Sequence, residues 1–122
     1  SFLVYRTGGA AYFVGPDEVR NQFLVRLVNK RTEPATFVVS TEGLPPGVRR
    51  SGFEAPVTLA PLVESVSPLV LLVPRQGYAG PFHFTVRVRD ADQTFTLARE
   101  VEFMGPDARL LEEEDHAKGI KR

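Results

Sequence analysis

The chain has 122 residues, 43% of them hydrophobic and 25% charged, which fits one globular domain that buries its own core rather than a disordered segment. Fifteen Lys plus Arg balance fifteen Asp plus Glu, so no net field draws the chain to nucleic acid or to an anionic membrane surface. The absence of cysteine removes a disulfide framework, a thiolate nucleophile, a Cys-ligated zinc site and an iron–sulfur cluster from this stretch.

The longest apolar run, Leu69 to Val73, is far too short to cross a bilayer as a helix. No N-terminal segment has the order of a signal peptide, and the chain opens directly on strand-like Phe2 to Tyr5. It therefore reads as a piece of a longer protein.

Short β-branched and aromatic runs recur between Gly and Pro, the pattern of an antiparallel sandwich, and about seven strands are expected. The first is Leu3 to Tyr5, followed by a Gly8-Gly9 turn and an edge segment at Ala11 to Val14. Val19 to Asn29 alternates, with Phe23, Val25 and Leu27 on the face expected to point inward. A polar turn, Asn29 to Pro34, leads to a strand over Thr36 to Thr41, and Gly43 to Gly47 ends it. Val57 to Leu59 forms a short strand. Leu69 to Val73, apolar on both faces and bounded by Pro68 and Pro74, should be the most deeply buried strand.

The clearest element is a hairpin in which Phe82, Phe84, Val86 and Val88 alternate with polar residues, turn through Asp90 to Gln93, and return over Thr94 to Phe103. Pairing Arg89 with Thr94 sets Val88 opposite Phe95, Phe82 opposite Val101 and His83 opposite Glu100. That register also puts Arg99 in core phase opposite Phe84, so a bulge or strand crossing is expected near Ala98-Arg99. The domain is expected over residues 1–106. Beyond Gly105-Pro106, residues 107–122 form a charged tail, for which a helical turn or two and a disordered end are both open.

No candidate site has the composition of a catalytic, cofactor or metal centre. His83 and His116 have no second His or Cys at ligand spacing. Ser40, Ser51, Ser65 and Ser67 lie in no nucleophile turn, and Gly8-Gly9 has no phosphate-loop spacing. Arg49-Arg50, and Arg87 with Arg89, make small basic spots that read as solvated surface. The acidic run Glu112 to Asp115 lacks the Gly and alternating Asp/Asn of a calcium loop.

The stretch Val19-Arg20-Asn21-Gln22-Phe23-Leu24-Val25-Arg26-Leu27-Val28-Asn29-Lys30, then Glu33-Pro34, Phe37 and Glu42-Gly43-Leu44-Pro45, resembles the C-terminal immunoglobulin-like domain of the FixG family, also called CcoG or RdxA. Val4-Tyr5-Arg6 and Phe103-Met104-Gly105-Pro106 resemble the family's entry and exit, so the resemblance brackets residues 3–106. The departures are the insertion-like Thr7 to Pro16, Phe23 where Tyr is common, and the charged tail.

The resemblance implies a periplasmic, noncatalytic module of an inner-membrane protein whose iron–sulfur clusters lie upstream, linked to copper handling and assembly of cbb-type cytochrome c oxidase. No cofactor is implied within the domain itself. The partner would be another protein or the parent's own membrane portion, with no nucleic acid and with membrane contact only through upstream segments. An alternative reading is an accessory module of a secreted enzyme or adhesin. Direct copper binding has little chemistry behind it, since Met104 is the only methionine and no cysteine is present.

Overall fold

The computed structural model describes residues 1–122. Nine strands and one helix are present: β1 (Phe2–Arg6), β2 (Phe13–Val14), β3 (Glu18–Val28), β4 (Ala35–Glu42), β5 (Arg49–Ser51), β6 (Val57–Leu59), β7 (Glu64–Pro74), β8 (Phe82–Asp90), β9 (Thr96–Phe103) and α1 (Ala108–Ala117). One sheet has the order β1-β3-β7-β5, with β2 also pairing β3; the other is β6-β4-β8-β9. All pairings are antiparallel. The expected immunoglobulin-like sandwich is the observed architecture.

Period-2 alternation builds the core. Phe23, Val25 and Leu27 of β3 and Leu69, Leu71 and Val73 of β7 point inward, where they meet Phe37 and Val39 of β4 and Phe84, Val86 and Val88 of β8. Phe23 packs edge-on against Phe84 across the two sheets, with ring centroids 5.7 Å apart. Phe103 at the end of β9 stacks on Phe82 at 4.9 Å.

The β8–β9 register differs from the expected one by two residues. Arg89 pairs with Thr96, Val88 with Leu97, Phe84 with Val101 and Phe82 with Phe103. The cause is Asp90, which is buried and closes the turn: its carboxylate accepts from Thr94 N at 2.8 Å and Phe95 N at 3.0 Å, and also from the Thr94 hydroxyl. Holding residues 94 and 95 in the turn takes them out of the ladder. Because the slip is an even number of residues, every side chain keeps its face.

Arg99 consequently lies opposite Val86, and pairing is unbroken from Thr96 to Phe103, so the expected bulge is absent. The guanidinium avoids the core by another route. β9 is an edge strand, and Arg99 reaches around it to the Phe2 ring, 5.4 Å from its centroid, and donates to the Phe2 carbonyl at 3.2 Å.

Leu69 to Val73 is not a short strand bounded by prolines. β7 starts at Glu64 and runs through Pro68, and of the two prolines only Pro74 ends it. Gly52 lies against the Pro68 carbonyl with φ +106°, and a Cβ there would sit 2.3 Å from that oxygen. Only the inner half of the run is sealed: Leu69, Leu71 and Val73 are buried, whereas Val70 and Leu72 on the other face are half-buried.

The segment after Pro106 folds as a helix. Asp107 caps it by accepting from Arg109 N at 2.9 Å, and Leu111 and Asp115 turn inward against the sandwich end.

Candidate interaction surface

The residues that carry the sequence motifs prove to be polar locks within the sandwich. Asn21, fully buried on β3, bonds Met104 twice, from Nδ2 to the carbonyl at 2.7 Å and from the amide N–H to Oδ1 at 2.8 Å. Arg6 donates to the same Oδ1 at 3.0 Å, to the Ala11 carbonyl at 3.0 Å and to the Glu102 carbonyl, while its guanidinium lies 4.9 Å from the Phe23 ring centroid. Asn29, also fully buried, donates to the carbonyls of Glu33 and Leu59 and accepts from Arg31 N, fixing the β3–β4 turn.

At the other end, the Tyr78 hydroxyl donates to the Pro106 carbonyl at 2.6 Å. Burial pushes that phenol up to about 12, and a Cβ at Gly105 would meet its oxygen at 2.2 Å. The Gly-Pro exit is therefore required by packing. These locks satisfy buried polar groups that would otherwise destabilise the fold; they leave no free reactive group.

The remaining candidates are dispersed. His83 on β8 faces Glu102 rather than the expected Glu100, with Nε2 3.4 Å from Oε2, and His116 is on α1. Ser40 is in β4, Ser51 in β5, and Ser65 and Ser67 in β7. Gly8-Gly9 lies between β1 and β2, and Met104 follows β9. No three His, Asp or Glu side chains are grouped as metal ligands. Arg49 pairs with Glu18 at 2.6 Å and Arg87 pairs with Glu42, so both basic spots are partly neutralised. Arg50, in β5 rather than a loop, donates to the Phe53 carbonyl.

The acidic run on α1 is partly structural. Asp115 receives Arg122 Nε at 2.7 Å and an Arg75 guanidinium nitrogen at 2.9 Å. The Arg122 hydrogen bond, against the opposing effect of burial and with further help from Arg75, holds its carboxyl below the usual range. A cleft of about 410 Å³ between α1 and the Arg75–Tyr78 turn is lined by Arg75, Asp115 and Arg122, which pair with one another, and by Glu112 and His116, which do not.

What stands out is the contrast between the two outer faces. The outer face of the β6-β4-β8-β9 sheet presents Thr36, Ser40, Thr85, Arg87, Thr96 and Glu100, as a solvated sheet should. The outer face of the β1-β3-β7-β5 sheet presents Leu3, Tyr5, Leu24, Val66, Pro68 and Val70. Leu3 is 48% exposed, Val66 44% and Tyr5 37%. Tyr5, Leu24 and Pro68 lie side by side in one row, so the exposure is contiguous rather than scattered. At one margin, Arg26 lies between Leu3 and Val66 and forms a two-bond ion pair with Glu64, at 2.9 and 3.0 Å. At the other, Phe13 lies beneath the Arg20 guanidinium at 4.8 Å, in a row continued by Leu72 and Arg49.

The sequence holds this surface in plain view: the doubly apolar Leu69 to Val73 signals two buried faces, and the fold covers only one. An apolar sheet face ringed by charges has the composition of a protein interface.

Residues 2–106 match the family model described as the IG-like fold at the C-terminal of FixG. Among solved structures, a FixG-related protein from Vibrio parahaemolyticus is similar, with a TM-score of 0.73 and 19% identity, over 85% of this chain and 94% of that one. No curated protein matches the chain.

Proposed function

This chain belongs to the family of immunoglobulin-like domains at the C-terminus of FixG, and from that premise we propose that it is the noncatalytic docking module of a FixG-like membrane iron–sulfur protein. The family description marks FixG as a candidate oxidoreductase. In this reading the redox groups belong to the upstream part of the parent, the module lies in the periplasm, and the parent serves copper handling and assembly of cbb-type cytochrome c oxidase. The module's contribution is contact, through the apolar outer face of the β1-β3-β7-β5 sheet.

The observation that supports this most directly is the exposed row Tyr5, Leu24 and Pro68 on a sheet whose counterpart is polar except at Val38 and Ala98. Family membership favours it over an accessory module of a secreted enzyme or adhesin. The test is the full-length parent carrying Val66→Asp with Tyr5→Asp, two exposed positions where an added charge disturbs no core packing. Assembled oxidase should fall while the parent's iron–sulfur signal in electron paramagnetic resonance stays unchanged. Normal oxidase levels in that variant would overturn the docking role of this face.

A further inference from the structure

We propose that the occupant of the apolar outer face is a second copy of this chain, seated face to face on the same sheet. This deepens the docking reading above and rests on it. Three features of the face point to a copy of itself.

The first is size. β3 and β7 are eleven residues long, but β1, β2 and β5 only five, two and three, so at about 4.8 Å spacing and 3.3 Å rise the strands make a face of roughly 500 Å². A standard stable interface buries about 800 Å² per partner, so this face supplies more than half of that area.

The second is the arrangement of apolar groups. A twofold axis along the strands, midway between β3 and β7, places each residue of β3 over the position paired with it on β7 of the other copy. Leu24 then covers the second copy's Pro68, and Gln22 covers its Val70. Sheets stacked in this way keep their strands within about 30° of alignment.

The third is charge. The same axis brings Arg26 of each copy beside Glu64 of the other, converting two separate ion pairs into an alternating group of four charges. The row Phe13, Arg20, Leu72, Arg49 reads aromatic, cation, apolar, cation. Reversed by the axis, it sets Arg49 over the second copy's Phe13 and Arg20 over its Leu72, so no arginine is stacked on an arginine. An isologous contact requires this kind of self-complementarity, and a face evolved for an unrelated partner does not.

The experiment is sedimentation equilibrium of the 122-residue chain from about 1 μM to 1 mM. The expected result is a rise from the 13.5 kDa protomer toward twice that mass. Leu24→Asp should weaken the dimer by roughly 100-fold with an unchanged circular dichroism spectrum, because the carboxylate would be desolvated against the second copy's Pro68 in a row that holds no cation. Arg26→Glu and Glu64→Arg should each be monomeric alone, and a mixture of the two should dimerise, since only the mixed pair restores opposite charges across the axis. A protomer mass throughout the range, a dimer indifferent to Leu24→Asp, or a mixture that stays monomeric would each overturn the proposal. The docking reading falls separately, through oxidase levels in the full-length parent: a monomeric module whose Val66→Asp/Tyr5→Asp parent still loses oxidase has a different occupant on the same face.

Discussion

Phe23→Ala probes the centre of the sandwich, and its cost can be worked from the contacts. Phe23 is wholly buried, packs edge-on against Phe84 and carries the Arg6 guanidinium over its ring. Removing a buried phenyl group costs about 3–5 kcal/mol in lost transfer energy and residual cavity. The aromatic pair is worth about 0.5–1.5 kcal/mol beyond its area, so the upper part of that range, about 4–5 kcal/mol, is expected. Arg6 softens the loss little, because its hydrogen bonds to Asn21 and the Ala11 carbonyl hold it in place over the vacated site.

Domains of this size are stable by only about 5–15 kcal/mol, so the urea midpoint should fall by roughly 2–3 M. The chain has no tryptophan, and far-ultraviolet circular dichroism is the appropriate signal. Phe23→Leu, which retains most of the volume, should cost about 1–2 kcal/mol and keeps the test readable if the alanine variant is unfolded. A loss under about 0.5 kcal/mol for Phe23→Ala would refute the inward register of β3 and with it the assignment of the two faces.

Other perturbations test the locks. Asn21→Ala should cost about 2–4 kcal/mol in the same melts, since it strands both backbone groups of Met104 in the interior. Gly105→Ala should destabilise by about 1–3 kcal/mol through overpacking on Tyr78, and adding Tyr78→Phe should recover part of that by removing the oxygen it strikes. Asp115 has a lowered pKa in the folded chain, so its stabilisation is fully present above the ordinary value of 3.8 and is lost as the pH falls through the lower folded value. The protection factor of the Leu111 amide on α1, its exchange corrected for the intrinsic pH-dependent rate, should therefore fall on acidification below about pH 4. Asp115→Asn should show fast exchange already at neutral pH, and equal exchange in both proteins would remove the ion network as the anchor of the helix.

Sequence periodicity was informative wherever one face of a strand meets the core. β3, β4, β6 and β8 lie where alternation or a short β-branched run puts them, and Phe23, Val25 and Leu27 point inward as read. It failed where a single polar contact decides the outcome. The β8–β9 register turns on the Asp90 carboxylate, which local pattern assigns to an ordinary exposed turn. Burial alone would raise its pKa, but the Thr94 and Phe95 hydrogen bonds and the Arg31 ion pair more than compensate, so the group stays ionised. β5 escaped notice because Arg49-Arg50-Ser51 is a polar edge with no apolar alternation to mark it. α1 has no clear signal in the sequence, because its docking rests on Leu111 and on an aspartate that pairs with Arg75, distant in sequence. The apolar outer face was present in the residues themselves, as the two-sided run in β7, but which side stays uncovered is a property of the assembled sandwich.

The placement of the two chain ends has a mechanical consequence. Ser1 bonds Val28 at one end of the sandwich, while Arg122 reaches Pro16 and Asp17 at the opposite end. Tension between the termini therefore runs along the strands and loads the β1–β3 hydrogen bonds in shear, all together, rather than opening them singly. Arg6 and Arg99, which tie β1 to the β9 side, act as lateral staples against the first slip. A pull on Ser1 should therefore meet a stiff link that gives only when β1 leaves at once, whereas a pull on Arg122 peels α1 from its Leu111 and Asp115 contacts first.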